Sequence, residues 1–371
     1  MKNSVKYILD IGSSAIRLLA VSKFNNEPRI FAEEEVLYDG YMDGEFLSPE
    51  DLGPTLSELL LGMELKMGKH IKSIIVGVPG DFCVCVCKRI SRKFPEIHKI
   101  KQAELIEMFE NNASFKMTDE TYNVINYSAM QYTLDDGVKV SNPVGKKSST
   151  LIMDASYILA KRSFIDTMME ELQGLNIDNV DFVSTALGQA LKCESEKSSD
   201  KMIAIVDVGH ITTSVAVKKG EGLALLNSFS MGGGHISSDI MQVLGVNFKN
   251  AETIKRKVVL TVETERNSYY EACIKGNLIK APINITNQVV KSRIETLAKI
   301  IKEILDMDEV FKDIDIYLTG DGISNFKGVK NILQDVTGHK IYDFTVPLDN
   351  SKSKYQTSKL GLAKLSQELV K

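Results

Sequence analysis

The stretch IAIVDVGHITTS, residues 203–214, decides how the rest of the chain is interpreted. It is an apolar run followed by Asp207, Gly209 and the pair Thr212 and Thr213. Glycine lets the backbone approach an anion and direct N–H groups at it, and the hydroxyls add donors. A carboxylate needs Mg²⁺ or a water between itself and a phosphate. The stretch therefore predicts a buried strand and a phosphate-handling hairpin, although Asp-x-Gly also occurs at many ordinary tight turns.

A second copy of this pattern lies near the N-terminus, in YILDIGSSAIRLLAV, residues 7–21. Here Asp10, Gly12, Ser13 and Ser14 follow one apolar run and precede another. The two aspartates are 197 residues apart, and each opens its own half of the chain. Two similar hairpins in two halves predict an internal duplication with a ligand between the halves.

The composition is that of an ordinary globular protein with room for two domains or more. The chain has 371 residues, of which 43% are hydrophobic and 25% charged. A net charge of -4 gives no basic surface for nucleic acid. No apolar run approaches the roughly 20 residues of a membrane helix, and Asp10 interrupts any signal peptide.

The cysteines favour structural thiols in a reducing cytoplasm. Three of the five form C-x-C-x-C at Cys83, Cys85 and Cys87. On one face of a strand their spacing of about 6.5–7 Å is a poor fit to one tetrahedral metal. The five histidines form no cluster with ligand spacing.

The order of predicted elements places a small α+β module inside a larger α/β unit. Strands over 1–37, a helix over 51–69 and a strand over 71–78 come first. The module follows at residues 82–165. The polar, turn-prone linker CESEKSSDK at 193–201 is the clearest break in the chain and the expected crossover between the two halves. The second half has strands to about residue 230, an ambiguous stretch at 258–277 and further elements. Its predicted helices are 235–244, capped by Ser237 or Ser238, 251–257, 283–306, 328–336 and 358–370.

Four loops that combine glycine with small hydroxyl residues follow strands or open helices. The two acidic hairpins are expected to hold the phosphates of a Mg-nucleotide, and the two later loops its sugar and base. Arg17 either reaches a phosphate from the returning strand or is a surface charge at a strand end. The four loops are residues 10–14, 207–213, 232–238 and 320–324.

This order of loops resembles the actin/Hsp70/sugar-kinase superfamily, and within it the FtsA family over nearly the whole chain. The most specific likeness is TLDDGVKVSNPVGKKSSTL, which is similar to an Asp-Gly…Pro-Val-Gly stretch in that family's inserted SHS2-type subdomain. Other matching stretches are LDIGSSAIRL, CESEKSSDKMIAIVDVGHITTSVAV, SMGGGHISSDI, NAETIKRK, SRIETL, IYLTGDGISNFKG and SKYQTSKLGLAKL.

The resemblance implies an actin-like, ribonuclease H-like duplicated fold with four parts. The first actin-like domain (subdomain 1A) would comprise residues 1–80 and 166–200, and the inserted subdomain (1C) residues 81–165. The second domain (2A) would comprise 201–245 and 311–371, and a small subdomain (2B) 246–310.

The resemblance also implies an ATP-binding adaptor that forms filaments and tethers FtsZ to the inner face of the cell membrane at the septum. The FtsZ tail would bind at about 246–310, and later division proteins at the inserted subdomain. Asp10 would hold Mg²⁺ through water, and Asp207 would orient the attacking water if ATP is hydrolysed. The implied nucleotide-binding residues are Gly12, Ser13, Ser14, Arg17, Gly209, Thr212, Thr213, Gly232, Gly233, Gly234, Ser237, Glu252, Lys255, Gly320, Gly322 and Ser324.

Three departures from the family pattern bear on that function. His210 and Ile211 replace two glycines of the second phosphate loop, where a β-branched residue resists positive φ. Asp321 stands where the adenosine loop has glycine and would repel phosphate. The chain stops at Lys371, with no terminal amphipathic helix for the membrane contact expected of the family. We therefore expect nucleotide binding, with at most weak ATPase activity.

Two alternatives remain. One is the pilus-assembly relative, an actin-like platform that shares the inserted module and binds a short peptide of a membrane partner. The other is a small-molecule kinase of the same superfamily, which needs a catalytic carboxylate beside a sugar pocket. The sequence shows no candidate for that carboxylate beyond the acids of the phosphate loops.

Overall fold

The fold is given by a computed structural model. It describes residues 5–25, 27–115, 121–193, 201–261, 268–274, 277–346 and 353–368. Of the predicted linker at 193–201, residues 194–200 lie outside the described residues.

The chain divides into two compact bodies, each built from segments distant in sequence. Body 1 is Met1–Ile203, Ala216–Asn227 and Ser358–Lys371. Body 2 is Ala204–Val215 and Ser228–Thr357. The chain therefore passes from one body to the other several times, and the hairpin segment 216–227 belongs to body 1.

The N-terminal region forms the predicted antiparallel meander, then a helix and a parallel strand. Leu18 and Leu19 are fully buried, and the helix buries Leu56, Leu59 and Met63 at the predicted helical spacing. The elements are β1 (Lys6–Ile11), β2 (Ala15–Phe24), β3 (Glu27–Leu37), β4 (Tyr41–Met42), β5 (Glu45–Phe46), α1 (Leu52–Met67) and β6 (Ser73–Val78).

The inserted module is an antiparallel sheet with one helix packed on one of its faces, as the sequence predicts. The core of that face includes Leu151, Met153 and Tyr157, and the hydroxyl of Tyr157 donates to the carbonyl of Phe109 at 2.9 Å. The strand order is β7-β10-β8-β9. The elements are β7 (Cys83–Lys99), α2 (Gln102–Glu110), β8 (Tyr122–Leu134), β9 (Lys139–Val140) and β10 (Lys147–Lys161).

The chain then returns to the first sheet and completes it. Helix α3 (Arg162–Gly174) leads to β11 (Asn179–Ser184), which pairs in parallel with β6. Ser184 caps α4 (Thr185–Lys192) by accepting the N–H of Leu187 at 3.3 Å. The finished sheet has the order β11-β6-β1-β2-β3. The loop after β1 and the loop after β6 therefore lie at the same edge of this sheet.

The second half opens with three strands and two helices. The prediction that Ser237 or Ser238 caps the first helix is wrong, because that helix begins at Gly233 with Gly232 as its N-cap. A two-stranded ribbon begins within residues 258–277, the stretch whose sequence indicated neither a helix nor a strand. The elements are β12 (Ile203–Val208), β13 (Thr213–Lys219), β14 (Gly222–Phe229), α5 (Gly233–Leu244), α6 (Phe248–Lys255), β15 (Tyr269–Ile274), β16 (Asn277–Pro282) and α7 (Ile283–Leu305).

The last elements complete the second sheet and then the first body. The second sheet has the order β14-β13-β12-β17-β18. In body 1, Gly361 packs directly on Gly188, since a Cβ built on Gly361 would lie 2.5 Å from the backbone of Gly188. None of the described helices is long and apolar enough to cross a membrane. The elements are β17 (Asp315–Thr319), α8 (Val329–Thr337), β18 (Ile341–Asp343) and α9 (Thr357–Glu368).

Candidate nucleotide site

The two acidic hairpins close with the same backbone hydrogen bond. In body 1 the N–H of Gly12 donates to the carbonyl of Ala15 at 3.0 Å. In body 2 the N–H of Gly209 donates to the carbonyl of Thr212 at 2.9 Å. A Cβ on Gly12 would lie 2.9 Å from the Ala15 oxygen, so the turn is tight enough to favour glycine. The repeated geometry supports the predicted duplication.

Asp10 in body 1 is buried and already engaged by neighbouring side chains. Its Oδ2 accepts a hydrogen bond from the hydroxyl of Ser358 at 2.8 Å, and Arg17 Nη1 lies 3.8 Å away. Arg17 also donates through Nε to Glu35 at 2.7 Å. Burial alone would lower the pKa of Arg17, but Asp10 and Glu35 outweigh it and raise that pKa. Arg17 is therefore an internal partner of carboxylates in this structure, and its predicted role as a phosphate ligand stays a hypothesis.

The two serines of the first hairpin face different surroundings. Ser13 is buried, while Ser14 is exposed. Gly40, with φ of +80°, packs on the backbone of Ser13, and a Cβ there would lie 2.3 Å from the Ser13 oxygen. The loop that follows β3 therefore packs against the backbone of the first hairpin.

Three of the predicted loops meet within body 2. The N–H of Gly233 donates to the carbonyl of Gly209 at 2.9 Å, and the N–H of Gly234 to the carbonyl of His210 at 2.7 Å. The N–H of Gly322 donates to the carbonyl of Val208 at 2.8 Å. These bonds join the second hairpin to the Gly-rich loop and to the loop after β17.

The same three loops approach so closely that side chains would clash at their glycines. A Cβ on Gly233 would lie 2.6 Å from Gly322, and one on Gly232 would lie 2.5 Å from the oxygen of Gly209. Gly320 has φ of +85°, and a Cβ there would lie 2.4 Å from Oδ1 of Asp207. Backbone contact therefore explains these glycines without any ligand, which is a structural role that the sequence alone did not separate from phosphate binding.

The hydroxyl groups of these loops differ in their partners. Thr213 is fully buried and donates to the carbonyl of Met231 at 2.6 Å, and Thr212 is buried beside it. Ser324 is also buried, and its Oγ has no hydrogen-bond partner among the residues that the structure describes. A buried hydroxyl without a partner is costly, so Ser324 is suited to meet a polar group of a ligand.

An ion pair between buried Lys255 and half-buried Glu252 lies against the start of α5. Lys255 Nζ donates to the carbonyl of Gly233 at 2.9 Å and pairs with Glu252, which also accepts from the hydroxyl of Ser237. Burial lowers the pKa of Lys255, and Glu252 offsets only part of that effect. Burial would raise the pKa of Glu252, but Lys255 and Ser237 outweigh it and hold that pKa below its ordinary value. The pair brings one positive and one negative group to the Gly-rich loop.

The two residues that replace glycine in the second hairpin are accommodated without backbone strain. The described non-glycine residues with positive φ do not include His210 or Ile211. The His210 ring instead contacts Phe248 edge-on, at 6.0 Å between centroids, and covers Gly234. Burial, followed by the nearby Lys255, lowers the pKa of His210 and favours its neutral form.

Two further contacts each involve a residue that the sequence did not assign to the site. Asp321, the residue expected to repel phosphate, is exposed and accepts a hydrogen bond from Gln356 at 3.0 Å. Asp239 in the second turn of α5 forms a two-pronged ion pair with Arg293 of α7, with both distances 2.7 Å. SRIETL and SKYQTSKLGLAKL signalled Arg293, Gln356 and Ser358 only as residues of matching stretches.

The donor set of body 2 fits a nucleotide in its chemistry. It offers a buried hydroxyl that lacks a partner among the described residues, a buried ammonium, a half-buried carboxylate and closely packed glycine turns. In body 1, the carboxylate of Asp10 is a hard oxygen ligand of the kind that Mg²⁺ prefers, directly or through water. The described residues include no group of three or more His, Cys, Asp or Glu side chains able to hold a metal by themselves.

Two models of protein families match this chain. A family model described as type IV pilus assembly protein PilM matches residues 9–271, and one described as cell division protein FtsA matches residues 204–360. The cell division protein FtsA of Enterococcus faecalis is 21% identical, over 88% of this chain and 76% of that protein.

Solved structures of low sequence identity have the same fold as this chain. The PilM-PilN type IV pilus biogenesis complex matches with a TM-score of 0.62 at 17% identity, over 97% of both chains. MreB5 of Spiroplasma citri bound to ADP matches with a TM-score of 0.57 at 12% identity, over 98% of this chain and 96% of that one. The fold is therefore actin-like, as predicted.

The family assignment follows from the extent of these matches. Because the PilM model spans more than half of the chain, the chain belongs to the family that this model describes, and it is FtsA-like over most of its length. These matches confirm the resemblance to the FtsA family that the motifs indicated. The PilM model corresponds to the pilus-assembly relative, which the sequence left open as an alternative.

The Glu252–Lys255 pair gives a prediction about stability. Glu252→Gln leaves the buried Lys255 ammonium without its counter-charge, so we expect a loss of about 3 kcal/mol at pH 7, the lower end for breaking a buried pair. Because the folded pKa of Glu252 is lowered, its contribution is present above the ordinary value of 4.5 and is lost as pH falls below it. Urea unfolding from pH 7 to pH 3 measures both effects.

The control for this variant is Glu295→Gln, which breaks the exposed pair of Glu295 with Lys291. That change should cost less than about 1 kcal/mol. Equal stability of the Glu252→Gln variant and the wild type at pH 7 would contradict the assignment of a stabilising buried pair.

Proposed function

We propose that this protein is an FtsA-type adaptor that binds ATP with Mg²⁺ and acts in cell division. The observation that carries the proposal is the meeting of three glycine loops in body 2. One of them binds the buried Lys255, and another contains Ser324, whose hydroxyl has no hydrogen-bond partner among the described residues. The FtsA family model covers all three loops, at residues 204–360. MreB5, which has a similar fold, was solved bound to ADP, so another protein with this fold binds a nucleotide.

In this proposal each group has a role set by its chemistry. Ser324, Lys255 and Glu252 hold the sugar and base, and the hairpin hydroxyls and N–H groups hold the phosphates. The remaining proposed ligands are Gly12, Ser13, Ser14, Arg17, Gly209, Thr212, Thr213, Gly232, Gly233, Gly234, Ser237, Gly320 and Gly322.

The two hairpin aspartates have separate proposed roles. Asp10 holds Mg²⁺ through water, and the metal would neutralise phosphate charge when bound. Asp207 orients water for any hydrolysis, which we expect to be weak.

The proposed cellular role is that of a filament-forming link between FtsZ and the cytoplasmic face of the membrane at the division site. The small subdomain at 246–310 would take the C-terminal tail of FtsZ. The inserted module, proposed as the SHS2-type subdomain, would contact neighbouring protomers and later division proteins. The chain's similarity to FtsA proteins along most of its length supports this role.

A second candidate is a platform of type IV pilus assembly. Its support is the PilM model, which matches residues 9–271 and so includes the inserted module, together with the likeness to the solved PilM-PilN complex. In this role the chain would bind a short peptide of a membrane partner instead of the FtsZ tail. The two candidates share the nucleotide site and differ in the peptide and in its docking surface.

Nucleotide binding is tested with a fluorescent ATP analogue, titrated with and without Mg²⁺. We expect Mg²⁺-dependent binding, and Ser324→Ala should weaken it by about fivefold because a neutral hydrogen bond contributes about 1 kcal/mol. Ser292→Ala on the exposed face of α7 is the matched control and should leave affinity unchanged. No binding at millimolar nucleotide would contradict the proposal.

The two cellular roles are separated by peptide binding, measured as fluorescence anisotropy with a scrambled peptide as control. We expect a synthetic FtsZ C-terminal tail to bind, and charge reversal at exposed Lys291 or Lys299 of α7 to weaken it by about fivefold, since the tail ends in a carboxylate. Lys139→Glu on the inserted module is the matched control. Binding of a PilN peptide that charge reversal in α7 does not weaken would favour the pilus role instead.

A further inference from the structure

The buried carboxylate of Asp10 receives a hydrogen bond from Ser358, a residue near the other end of the chain. The Ser358 hydroxyl, in the first turn of α9, donates to Oδ2 of Asp10 at 2.8 Å. Arg17 Nη1 lies 3.8 Å from the same oxygen, which is too long for a hydrogen bond. The Nε of Arg17 is committed to Glu35. Both contacts fall on Oδ2, so the Ser358 hydroxyl determines how this carboxylate is turned.

Ser358 lies where the chain passes from one body to the other. A segment of body 2 ends at Thr357, and body 1 resumes at Ser358. The next residue, Lys359, is buried, and its ammonium binds Glu33 on β3 within body 1. On the C-terminal side, Ser358 is therefore held in place by a helix that is anchored in body 1.

The residues just before Ser358 are bound to the end of β17 within body 2. The carbonyl of Tyr355 accepts the hydroxyl of Thr319 at 2.8 Å and the N–H of Gly320 at 3.1 Å. These two donors use both lone pairs of the carbonyl. The hydroxyls of Thr319 and Thr357 lie 3.0 Å apart. Because the Thr319 proton is used on Tyr355, the Thr357 hydroxyl is the donor in that pair.

Residues 355–358 form a crossing segment that joins two parts of the candidate site through four consecutive residues. Its first three residues belong to body 2 and are bound where the loop Gly320–Ser324 begins, and its last residue is bound to Asp10. Thr319 and Thr357 are fully buried, so water does not compete for their hydrogen bonds. The position of the Ser358 hydroxyl is therefore set from both ends of the segment.

The arrangement at Asp10 fits a carboxylate in the outer shell of a hydrated metal ion. A carboxylate that holds Mg²⁺ through water must present an oxygen to that water. Ser358 occupies Oδ2, which leaves Oδ1 for this purpose. Hydrogen bonds of this kind orient metal-binding groups, and their loss typically lowers metal affinity by about 10- to 100-fold. Without the hydroxyl, the Arg17 guanidinium would draw the carboxylate into a direct ion pair.

We propose that Ser358 is a positioning residue for Asp10, and that the crossing segment ties its position to the loop that begins at Gly320. The inference rests on the proposed function, in which Asp10 holds Mg²⁺ through water. Ser358 keeps Oδ2 of Asp10 on α9 and prevents the carboxylate from closing onto Arg17. The Mg²⁺ requirement of nucleotide binding then depends on a residue that acts through Asp10.

The experiment titrates Mg²⁺ into the full chain at a fixed concentration of a fluorescent ATP analogue and records the Mg²⁺ concentration at half-maximal binding. We expect Ser358→Ala to raise this concentration by about tenfold, the lower end for outer-shell hydrogen bonds. Affinity for the analogue in EDTA should stay that of the wild type, because no metal is then present. Ser358→Thr keeps the hydroxyl and should restore the wild-type Mg²⁺ requirement.

The matched control is Ser366→Ala in the same helix. Ser366 is fully buried, and its hydroxyl donates to the carbonyl of Ala363 within α9. This variant loses a buried serine hydrogen bond without affecting Asp10, so its half-maximal Mg²⁺ concentration should equal that of the wild type. Urea unfolding of both alanine variants verifies that each is folded before the titration.

A second variant tests the crossing segment from its other end. Thr319→Val keeps the shape of the side chain and removes the hydroxyl that binds Tyr355 and Thr357. We expect it to raise the half-maximal Mg²⁺ concentration by up to about fivefold, the equivalent of one neutral hydrogen bond. The control is Thr337→Val in α8, a buried threonine whose hydroxyl donates to the carbonyl of Leu333, and it should have no effect.

Three results would overturn the role of Ser358 while leaving nucleotide binding intact. One is an unchanged Mg²⁺ requirement in Ser358→Ala. Another is an equal loss of affinity with Mg²⁺ and in EDTA, which would make the residue structural only. The third is a failure of Ser358→Thr to restore the wild-type value. An unchanged Mg²⁺ requirement in Thr319→Val would overturn the link to the Gly320 loop.

Failure of the proposed function gives a different result. A wild-type chain that does not bind the analogue at millimolar concentration, with or without Mg²⁺, would contradict nucleotide binding and this inference with it. A wild-type chain that binds equally well with Mg²⁺ and in EDTA would contradict the metal role of Asp10, and with it the role of Ser358.

Discussion

The structure of the candidate site depends on one kind of interaction, a glycine N–H bonded to a carbonyl of a neighbouring turn. It closes the hairpin at Gly12 and, in the same way, the hairpin at Gly209. In body 2 the N–H groups of Gly233, Gly234 and Gly322 extend it by binding the carbonyls of residues 208–210. Such contacts need backbones within touching distance, and a Cβ at most of these positions would lie under 3 Å from another atom. The loops are therefore fixed by backbone geometry before any ligand is considered.

This backbone scaffold explains how the unusual residues of the second hairpin are tolerated. The N–H of Gly209 closes the turn, and the two following positions keep ordinary backbone angles, so they do not need glycine. His210 can then place its ring on Phe248 and over Gly234, and Asp321 can turn toward Gln356. The departures from the family pattern change the chemistry of the surface around the loops and leave the loops themselves intact.

Much of the fold could be predicted because periodicity and turn chemistry are local. The leucines of α1, the long apolar stripe of α7 and the paired Asp-x-Gly hairpins all follow from neighbouring residues. The start of α5 was missed because Ser237 looks like a cap, whereas its hydroxyl binds Glu252 and Gly233 of its own body. The ribbon β15–β16 showed no clear alternation.

Contacts between residues distant in sequence could not be predicted. Ser358 reaches Asp10 across nearly the whole chain, and Leu223 meets Cys85 and Cys87 only because the tip of the hairpin at 216–227 lies on the inserted sheet. The C-x-C-x-C pattern correctly indicated one strand face. It carried no information about what covers that face.

The central claim, that the three glycine loops of body 2 form a nucleotide site, is tested most directly by hydrogen–deuterium exchange of the full chain with and without Mg-ATP. We expect slower amide exchange in the peptides that contain Asp207–Thr213, Gly232–Gly234 and Gly320–Ser324. Exchange in β15 and β16 should not change. Unchanged exchange in all three loops at saturating nucleotide would contradict this claim.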